Sequence, residues 1–484
     1  MKLKELLQHV HVVHMSADPE TEVSGICYDS RKLSAGNVFV AVKGLTSDGH
    51  DYICWAGEYG AAAVICEKVC ESDVPYVLVN DSREALALIS AAWFRYPAEA
   101  MKVLGVTGTS GKTTSTHLIR HILKSALQTK VGLIGTNGNY IGDEYIHTEF
   151  TTPDSYELQG LFRKMADEGC SFAVMEVSSH SLALERVVGI TFDVAAFTNL
   201  SQDHLDFHGT MDAYAKEKKK LFSMCKAACI NIDDAYGRYM MKDVSCPVLT
   251  SSAENCEAEL RAEEIRLTES SVHFKVKYRN ESVDVVLSIP GLFSVYNALT
   301  AISVCLKAGV TLQQSADALS SAKGVKGRVE TVPVEKDYTV IIDYSHKPDA
   351  LENVLKTLRP LAKNRLVVLF GCGGDRDHEK RPIMGSVAAD NADFVIVTSD
   401  NPRTEKPEDI ITDIVAGLRS KNTPFRVICD RIEAIHWTLD NAEPGDVILL
   451  AGKGHEDYQI IGHEKHHMDE REIVADYLKE KSHL

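Results

Sequence analysis

Short apolar runs separated by polar turns occupy the first hundred residues of the chain. The runs "NVFVAVKG" (37–44), "AAAVICEK" (61–68) and "PYVLVND" (75–81) have the length and composition of strands. They are followed by "SREALALISAAWFRY", whose apolar residues recur at helical spacing. The pattern predicts a small α/β domain over residues 1–98, followed by a linker at "PAEAMK".

A strand, a glycine-rich turn and a helix over residues 112–127 are predicted from residue 102 onwards. Apolar runs at "KVGLIG", "FAVMEVSS" and "FDVAAFTNL" alternate with helical stretches, which indicates a parallel sheet covered on both faces. The alternating runs "SVHFKVKY" and "SVDVVLSI" predict an antiparallel hairpin attached to that sheet, and a helix-rich segment (294–322) follows. Residues 99–329 are therefore predicted to form a central domain.

A third domain is predicted over residues 330–484, after a second linker at "KGVKGRVE" (323–330). Its strands are predicted at "YTVIIDYSH", "RLVVLFGC", "DFVIVTSDNPR", "FRVICD" and "DVILLAGKGHE", and each run ends in polar residues. Helical stretches separate these strands, which indicates a Rossmann-like, doubly wound sheet with its functional residues at the carboxyl ends of the strands. The predicted fold class is α/β in three domains.

Composition and charge exclude some classes of protein and agree with three folded domains. The 484 residues carry a net charge of -17, which opposes binding to nucleic acids or to anionic membranes. No run reaches the 18 apolar residues of a membrane span, and the 12 cysteines include no C-x-x-C pair. We expect reduced thiols, a cytoplasmic location and small-molecule substrates.

The stretch "GVTGTSGKTTS" (105–115) is typical of a phosphate-binding loop, although Val106 stands where the pattern G-x-x-x-x-G-K-[ST] has its first glycine. Backbone N–H groups of residues 108–114 can surround a triphosphate at the start of the following helix. Lys112 would contact the β- and γ-phosphates and Thr113 would bind Mg²⁺. A glycine-rich turn without a ligand is the alternative. The loop predicts that the central domain is an ATPase domain.

Acidic and imidazole side chains follow two strands of the same sheet. Glu176 ends an apolar strand, where a carboxylate is costly unless it is paired or bound to a metal. Asp203, His204, Asp206 and His208 lie within six residues after the next strand. A single histidine would more often be an ordinary surface residue, but two clusters downstream of a phosphate loop favour an Mg²⁺ site.

Lys218 lies in the basic helical run "YAKEKKKLF" (214–222). Most such runs are solvated faces, but Lys218 is four residues from both Tyr214 and Phe222, which should pack inward. A lysine held on that face can have a lowered pKa and react as a free amine.

The third domain repeatedly places charged residues directly after a strand. "CGGDRDHEKRP" (372–382) and "SDNPRTEKP" (399–407) combine arginine with aspartate, and "AGKGHEDYQ" (451–459) adds Glu456. An arginine can hold a carboxylate through two hydrogen bonds while acidic side chains hold an ammonium group. Arginines in loops are usually solvated, but the three stretches together predict a binding site for an amino acid.

In this order, "GVTGTSGKTT", "MEVSSH", "DHLDFHG", "GRVE", "DYSHKPDAL", "GCGGDRD", "DNPR" and "GKGHEDYQ" resemble the Mur ligases along nearly the whole chain. The resemblance is strongest to the members that add diaminopimelate. It implies an ATP- and Mg²⁺-dependent ligase that joins meso-2,6-diaminopimelate to UDP-N-acetylmuramoyl-L-alanyl-D-glutamate in peptidoglycan synthesis. A monomer is expected.

The resemblance also implies binding residues. ATP is expected at Gly108, Thr109, Ser110, Gly111, Lys112, Thr113, Thr114, Asn297, Arg328, Asp343 and His346. The UDP-linked substrate is expected at Tyr28, Ser30, Leu45, Thr46, Ser47, Thr151, Thr152, Ser178 and Arg186. Diaminopimelate is expected at Arg376, Asp400, Asn401, Pro402, Arg403, Gly452 and Glu456. Within "DYSHKPDAL", Ser345 and Lys347 depart from the commoner "DYAHTPDAL".

Lys218 matches the carboxylated lysine of the family. Its carbamate would join Thr113, Glu176 and His204 as a metal ligand, and Lys112, Lys218, His204 and Arg328 are the expected catalytic residues. Arg403 would bind the second carboxylate of diaminopimelate, which lysine lacks. A lysine-adding ligase, a folylpolyglutamate synthase and a nucleotide-binding scaffold without chemistry are the alternatives.

Overall fold

The computed structural model describes residues 1–44, 47–68, 73–268 and 270–482. Within these ranges the strands form three larger sheets and one separate hairpin. No helix in the described ranges is both long enough and apolar enough to cross a membrane. Cores of buried apolar side chains lie on the faces of the three larger sheets.

The first sheet contains five strands among the described residues and has the order β1-β5-β4-β3-β2. Its elements are α1 (Leu3–Leu6), β1 (Val12–Met15), β2 (Gly25–Cys27), β3 (Asn37–Val40), α2 (Ile53–Glu58), β4 (Ala63–Cys66), β5 (Tyr76–Val79) and α3 (Ser82–Trp93). Only β1 is antiparallel to its neighbour. The three strands and the helix predicted here are confirmed. The helix α3 begins where the Asp81 side chain accepts hydrogen bonds from the Arg83 and Glu84 amides.

The second sheet has eleven strands in the described ranges, in the order β16-β15-β14-β13-β12-β11-β6-β10-β7-β8-β9. Its strands are β6 (Lys102–Thr107), β7 (Val131–Ile134), β8 (Asn139–Ile141), β9 (Glu144–Ile146), β10 (Phe172–Glu176), β11 (Val194–Phe197), β12 (Ala228–Asn231), β13 (Val248–Ser252), β14 (Leu260–Leu267), β15 (Val272–Tyr278) and β16 (Glu281–Leu287). Its helices are α4 (Lys112–Leu127), α5 (Ser155–Asp167), α6 (Ser179–Ala183), α7 (Leu205–His208), α8 (Met211–Lys219), α9 (Gly237–Met241), α10 (Leu292–Ala308) and α11 (Leu312–Ser320).

The middle of this sheet is parallel, as the unbroken apolar runs predict. The helix predicted over residues 112–127 has those bounds, and the hairpin β15–β16 is also confirmed. The parallel strands β12 and β13 and two further features were not predicted. The strand β14 joins the hairpin as a third antiparallel strand, and β8 and β9 extend the other edge of the sheet. Strands of three residues are too short to produce a clear alternation of polar and apolar positions.

The third sheet has the order β17-β18-β22-β19-β20-β21 among the described residues. Its elements are β17 (Glu330–Val332), β18 (Thr339–Asp343), α12 (Pro348–Leu358), β19 (Leu366–Phe370), α13 (Lys380–Asn391), β20 (Phe394–Val397), α14 (Pro407–Leu418), β21 (Phe425–Val427), α15 (Arg431–Asp440), β22 (Val447–Ala451) and α16 (Glu470–Ser482). All of its strand pairs are parallel except β17 with β18. The doubly wound prediction is confirmed, and the polar residues that follow β18, β19, β20 and β22 therefore meet at one edge. The separate hairpin of β23 (Tyr458–Ile461) and β24 (Glu464–His467) was not predicted.

Candidate active site

The loop between β6 and α4 is shaped by two glycines. Gly108 and Gly111 have φ values of +150° and +83°. A Cβ on Gly108 would lie 1.9 Å from Thr198 Oγ1, and a Cβ on Gly111 would lie 2.5 Å from Asn297 Oδ1. Val106 is fully buried within β6, so the strand has not yet ended where the strict pattern has its first glycine. The mismatch at Val106 therefore leaves the turn intact.

The end of β11 holds this loop in place. The amides of Thr109 and Ser110 donate to the backbone and side-chain oxygens of Asn199, at 2.9 Å each. Thr198 Oγ1 donates to the Ser110 carbonyl at 2.7 Å. Thr198 and Asn199 could not be singled out from the sequence, because their partners lie 88 and 89 residues earlier in the chain.

Lys112 and the buried Thr113 and Thr114 begin α4, where backbone N–H groups have no carbonyl of the same helix to bond. The Lys112 ammonium group folds back over the loop and donates to the Gly108 and Thr109 carbonyls, at 2.9 Å each. Burial, reinforced by the nearby Lys347 ammonium group, lowers the pKa of Lys112 to about 8. The start of α4 thus combines free donors with a lysine, as an anion site requires.

Glu176 at the end of β10 faces the same helix start. Its carboxylate accepts hydrogen bonds from Thr113 Oγ1 at 3.1 Å and from the Thr136 amide at 2.8 Å. Arg328 Nη2 donates to the same Thr113 hydroxyl at 3.1 Å, and Arg328 Nε is buried with no hydrogen-bond partner among the described residues. The expected residues Thr113, Glu176 and Arg328 therefore meet, and they are joined by Thr136, which the sequence did not single out.

Lys218 lies inside the protein, with 1% of its surface exposed. Its ammonium group donates to the Gly108 carbonyl at 2.8 Å and lies 4.6 Å from the centre of the Tyr214 ring. Burial, together with the charges of Lys112 and Lys347, lowers the pKa of Lys218 well below the usual value of a lysine. The inward orientation and the lowered pKa predicted from the spacing are both confirmed.

His204 lines the same cavity as the loop, but its ring contacts other residues. Its Nε2 is 2.8 Å from Asp203 Oδ2, and its ring makes an edge contact with the His180 ring at 4.6 Å. Asp203 also forms an ion pair with Lys347 of the third sheet. His208 contacts Ser179 Oγ at 2.9 Å and stacks on Tyr214. These histidines have partners within the protein.

The residues expected to bind Mg²⁺ fit such an ion in part. Thr113 and Glu176 offer adjacent oxygen atoms, the donor type that Mg²⁺ prefers. Lys218, however, is directed to Gly108 and His204 to Asp203. Among the described residues, no three His, Cys, Asp or Glu side chains are grouped so as to hold a metal ion. The oxygen pair at Thr113 and Glu176 is the part of the expected site that is already assembled.

A cavity of about 1130 Å³ borders the phosphate loop. It is lined by the loop and by Glu176, Arg328, Lys347 and the four central-domain residues expected to bind the UDP-linked substrate, namely Thr151, Thr152, Ser178 and Arg186. Those four residues are joined to Glu176. Thr151 Oγ1 lies 3.0 Å from Thr136 Oγ1, and Thr152 Oγ1 donates to the Glu176 carbonyl at 2.8 Å. Arg186 donates to the Thr152 carbonyl at 2.9 Å.

The expected uridine-site residues lie in the first sheet's region. The Tyr28 hydroxyl donates to the Glu157 carboxylate of α5 at 2.6 Å, and Ser30 begins a short 3₁₀ helix. The Ser47 carbonyl accepts from the Gly44 amide at 2.8 Å. Leu45 and Thr46 lie outside the described residues. Tyr28 therefore connects this region to the central one.

Three expected ATP residues approach from α10 and β18. Asn297 Oδ1 accepts from Ser115 Oγ at 3.4 Å. Asp343 accepts from the Val329 amide at 2.8 Å, and burial raises the pKa of its carboxyl group. Burial also lowers the pKa of His346, whose Nδ1 lies 2.8 Å from the Tyr344 carbonyl. All three line the cavity beside the phosphate loop.

The seven residues expected to bind diaminopimelate, which we term the amino-acid cluster, come together where β19, β20 and β22 end. They are Arg376, Asp400, Asn401, Pro402, Arg403, Gly452 and Glu456. Arg403 Nη1 donates to the Gly374 carbonyl at 2.7 Å, and the Pro402 carbonyl accepts from the Glu405 amide at 3.1 Å. Burial and the neighbouring Arg403 charge lower the pKa of Arg376. Two guanidinium groups therefore lie close together, as a carboxylate site requires.

A fully buried lysine organises the acidic part of the amino-acid cluster. The Lys453 ammonium group donates to Asn401 Oδ1 at 2.9 Å and to Glu456 Oε2 at 2.8 Å. Asn401 Nδ2 also donates to Glu456 Oε2 at 2.9 Å. A Cβ on Gly452 would lie 2.8 Å from Asp400 Oδ2, so this glycine lets the two strand ends approach. Lys453 was not singled out from the sequence, because a lysine in a glycine-rich loop is usually solvated.

Tyr344 connects the two groups of residues. The Arg328 guanidinium carbon lies 4.8 Å from the centre of its ring, and its hydroxyl lies 3.5 Å from Glu456 Oε1. Tyr344 lines the large cavity, whereas none of the seven residues of the amino-acid cluster is among the described residues that line it. The amino-acid cluster and the phosphate loop thus lie on opposite sides of this tyrosine.

The chain is similar to known proteins along most of its length. Residues 22–94, 106–305 and 327–454 match the family models described as "Mur ligase family, catalytic domain", "Mur ligase middle domain" and "Mur ligase, glutamate ligase domain". The UDP-N-acetylmuramoyl-L-alanyl-D-glutamate--2,6-diaminopimelate ligase of Caldanaerobacter subterraneus subsp. tengcongensis is 47% identical over 99% of each chain. Ligase 1 of that name from Clostridium acetobutylicum is 45% identical over 99% of this chain and 100% of its own. A solved structure of a ligase of that name aligns over 100% of both chains, with a TM-score of 0.72 and 34% identity.

Proposed function

This chain belongs to the Mur ligase family, and from that premise we propose that it joins meso-2,6-diaminopimelate to UDP-N-acetylmuramoyl-L-alanyl-D-glutamate. The reaction consumes ATP, releases ADP and phosphate, and extends a peptidoglycan precursor. We further propose that the three large sheets mark three domains, over residues 1–98, 99–329 and 330–484. They bind the UDP end of the substrate, ATP and the incoming amino acid, respectively.

One observation carries this function: a single cavity joins the phosphate loop to the residues expected to hold the muramoyl peptide. Thr136 connects the two sets, because it donates to Glu176 and also contacts Thr151. A carboxylate bound near Thr151 and Thr152 would therefore lie beside the outermost phosphate of a nucleotide on the loop. Such proximity is the main requirement for phosphoryl transfer.

In the first step, the D-glutamyl carboxylate of the substrate attacks the γ-phosphorus of ATP. The bond to the β,γ-bridging oxygen breaks, and the products are an acyl phosphate and ADP. Lys112 and the amides of Lys112, Thr113 and Thr114 hold the phosphates, since they lie at the start of α4. Arg328, which already contacts Thr113, offsets the negative charge on the transferring group.

In the second step, the amine of diaminopimelate attacks the acyl carbon. The tetrahedral intermediate loses phosphate, and an amide remains after the nitrogen has lost a proton. Arg376 and Arg403 hold a carboxylate of the amino acid, while Asp400 and Glu456 hold an ammonium group. Tyr344 separates this cluster from the large cavity, so the domains must close about their linkers to bring amine and acyl phosphate together.

Thr113 and Glu176 would hold a magnesium ion through their oxygen atoms, and His204 and a carbamate on Lys218 would join them as ligands after turning away from Asp203 and Gly108. When bound, Mg²⁺ would supply positive charge that stabilises the phosphates. The low pKa of Lys218 supports the carbamate, because only a neutral amine combines with CO₂. ATP and a nucleotide-linked substrate as reactants favour a cytoplasmic reaction.

The test is to measure ADP formation by the full-length protein with ATP, Mg²⁺ and the UDP-linked dipeptide, and to vary the amino acid. We expect meso-2,6-diaminopimelate to give a kcat/KM at least about a hundredfold above that of L-lysine, because lysine leaves an arginine pair without its carboxylate. A higher kcat/KM with lysine would identify a lysine-adding ligase. Glutamate addition to a folate would identify a folylpolyglutamate synthase, and nucleotide binding without ADP formation would indicate a scaffold.

A further inference from the structure

Lys347 belongs to the region of the third sheet, but its ammonium group lies at the cavity beside the phosphate loop of the second sheet. It is the residue immediately before α12, in the loop that follows β18. Its ammonium group pairs with Asp203, which follows β11, 144 positions earlier in the chain. The exposed fractions of the Lys347 and Asp203 side chains are only 15% and 13%. Lys347 also lines the cavity beside Lys112 and Arg328.

Cationic side chains lie close to one another around this pair. Lys112, Lys347 and Arg328 all line the cavity, and of the carboxylates near them Glu176 already accepts hydrogen bonds from Thr113 and Thr136. Buried like charges are unfavourable unless an anion joins them.

The position of Lys347 indicates which anion would join. In a phosphate loop the β-phosphate lies at the helix start, and the γ-phosphate projects beyond the loop towards neighbouring strand ends. Asp203 follows the end of β11, the strand whose Thr198 and Asn199 hold the loop. A cation kept beside Asp203 therefore stands on the γ-phosphate side, opposite the Lys112 ammonium group that covers the loop itself.

We propose that Lys347 is a phosphate-binding residue that the third domain contributes to the γ-phosphate of ATP, and that Asp203 holds it in place until ATP binds. This proposal rests on the proposed nucleotide site. It gives a function to a residue at which this chain departs from the commoner threonine of the resembling motif. It also means that the γ-phosphate would connect the second and third domains directly.

The experiment measures Mg²⁺-nucleotide dissociation constants of the full-length protein by calorimetry, without the other substrates. A non-hydrolysable ATP analogue and ADP are compared for Lys347→Met, Lys347→Thr and Lys347→Arg. We expect the methionine and threonine variants to bind the ATP analogue about tenfold more weakly, because a charge-assisted contact is lost. ADP binding should change less than about threefold, and Lys347→Arg should restore most of the affinity for the analogue.

Two controls separate phosphate binding from a structural ion pair. Lys421→Met removes another lysine–aspartate pair, with Asp390, which does not border the cavity, and should change neither constant. Asp203→Asn removes the partner of Lys347 but keeps the lysine, so it should weaken binding of the ATP analogue much less than Lys347→Met does. Equal weakening of both nucleotides in Lys347→Met, or the same pattern in Asp203→Asn, would overturn the proposal.

Unfolding temperatures of the variants show whether each has folded, and Lys347→Thr provides a second neutral variant if Lys347→Met has not. The readout is nucleotide binding, so it is independent of the amino-acid acceptor. If diaminopimelate did not support ADP formation, the proposed function would be wrong, but the nucleotide-binding result for Lys347 would still hold. An unchanged ATP-to-ADP affinity ratio would remove the role of Lys347 and leave the proposed function standing.

Discussion

The phosphate-loop region and the amino-acid cluster are both built at the carboxyl ends of parallel strands, but they are assembled differently. The loop is one contiguous stretch that connects β6 to α4, and its lysine bonds to carbonyls of the same loop. The amino-acid cluster draws on three strand ends separated by up to about eighty residues and is held by Lys453, which is fully buried. The first can be recognised from a single motif, whereas the second exists only once the sheet has formed.

The two regions also differ in how their charges are matched. Near the loop, burial and the charge of Lys347 lower the pKa values of Lys112 and Lys218, so the region gains stability from a bound polyanion. In the amino-acid cluster, acidic and basic groups are already paired through Lys453, Asn401 and Glu456. Such a site is preorganised for a ligand that carries both signs of charge. Substitutions should therefore act on nucleotide binding or turnover in the first region and on amino-acid affinity in the second.

The largest expected effect is that of Lys218→Ala, which tests the phosphate-loop side of the comparison. We expect kcat to fall by about a hundredfold to a thousandfold, because the proposed carbamate on Lys218, a charged group near the transferring phosphoryl group, is lost. Nucleotide affinity should remain within about threefold. Lys216→Ala, on the exposed face of the same helix, is the matched control. Unchanged turnover in Lys218→Ala would exclude Lys218 from the mechanism.

Arg403→Ala tests the amino-acid cluster. We expect the KM for diaminopimelate to rise by about tenfold to a hundredfold, because a carboxylate loses a charge-assisted pair, while the KM for ATP stays within about threefold. Arg403 has a φ of +53°, and alanine carries the same Cβ, so the backbone cost is not altered. Arg419→Ala, in an exposed position of that domain, is the control. A parallel rise in both KM values would point to a structural role.

Lys453→Met asks whether the amino-acid cluster depends on its buried lysine. Asn401 Oδ1 and Glu456 Oε2 would each lose a donor, and we expect a KM for diaminopimelate about tenfold higher, with a nearly unchanged KM for ATP. Lys453→Arg should restore part of the affinity if positive charge is what orients Glu456. Steady-state kinetics with each substrate varied in turn gives both values. A change confined to kcat would contradict the comparison.

The smallest effect concerns stability at low pH. Burial, with Arg120 and Arg328 nearby, lowers the pKa of His117 on α4 to about 4. Below the unfolded value of about 6.5, the unfolded chain binds a proton that the folded protein does not, so stability falls as pH falls through this window. Replacing His117 by glutamine should reduce the loss of unfolding free energy between pH 7 and pH 5.5 by about 1 kcal/mol. Urea unfolding at the two pH values measures this loss, and His463→Gln, at an exposed position, is the control. An equal loss of unfolding free energy in both variants would contradict the prediction.

The sequence pattern predicted the features that depend only on residues close together in the chain. The helix over residues 112–127, the parallel strands and the inward orientation of Lys218 follow from local periodicity, and each was confirmed. The roles of Thr136, Thr198, Asn199, Tyr344 and Lys453 could not be predicted, because each depends on a partner brought near by the fold. The ligand assignments carried over from the family remain predictions, and those for Leu45 and Thr46 lie outside the described residues.

The absence of space around the loop glycines has a genetic consequence. Any other amino acid would bring a Cβ against Thr198 at position 108 and would be strained by the φ of +83° at position 111, so missense changes at these two codons should be lost from a population that depends on this activity. Val106, buried in a strand, can vary among apolar residues of similar size. Inherited variation in nucleotide affinity is therefore expected in the side chains around the loop, such as Lys347, and not in the turn itself.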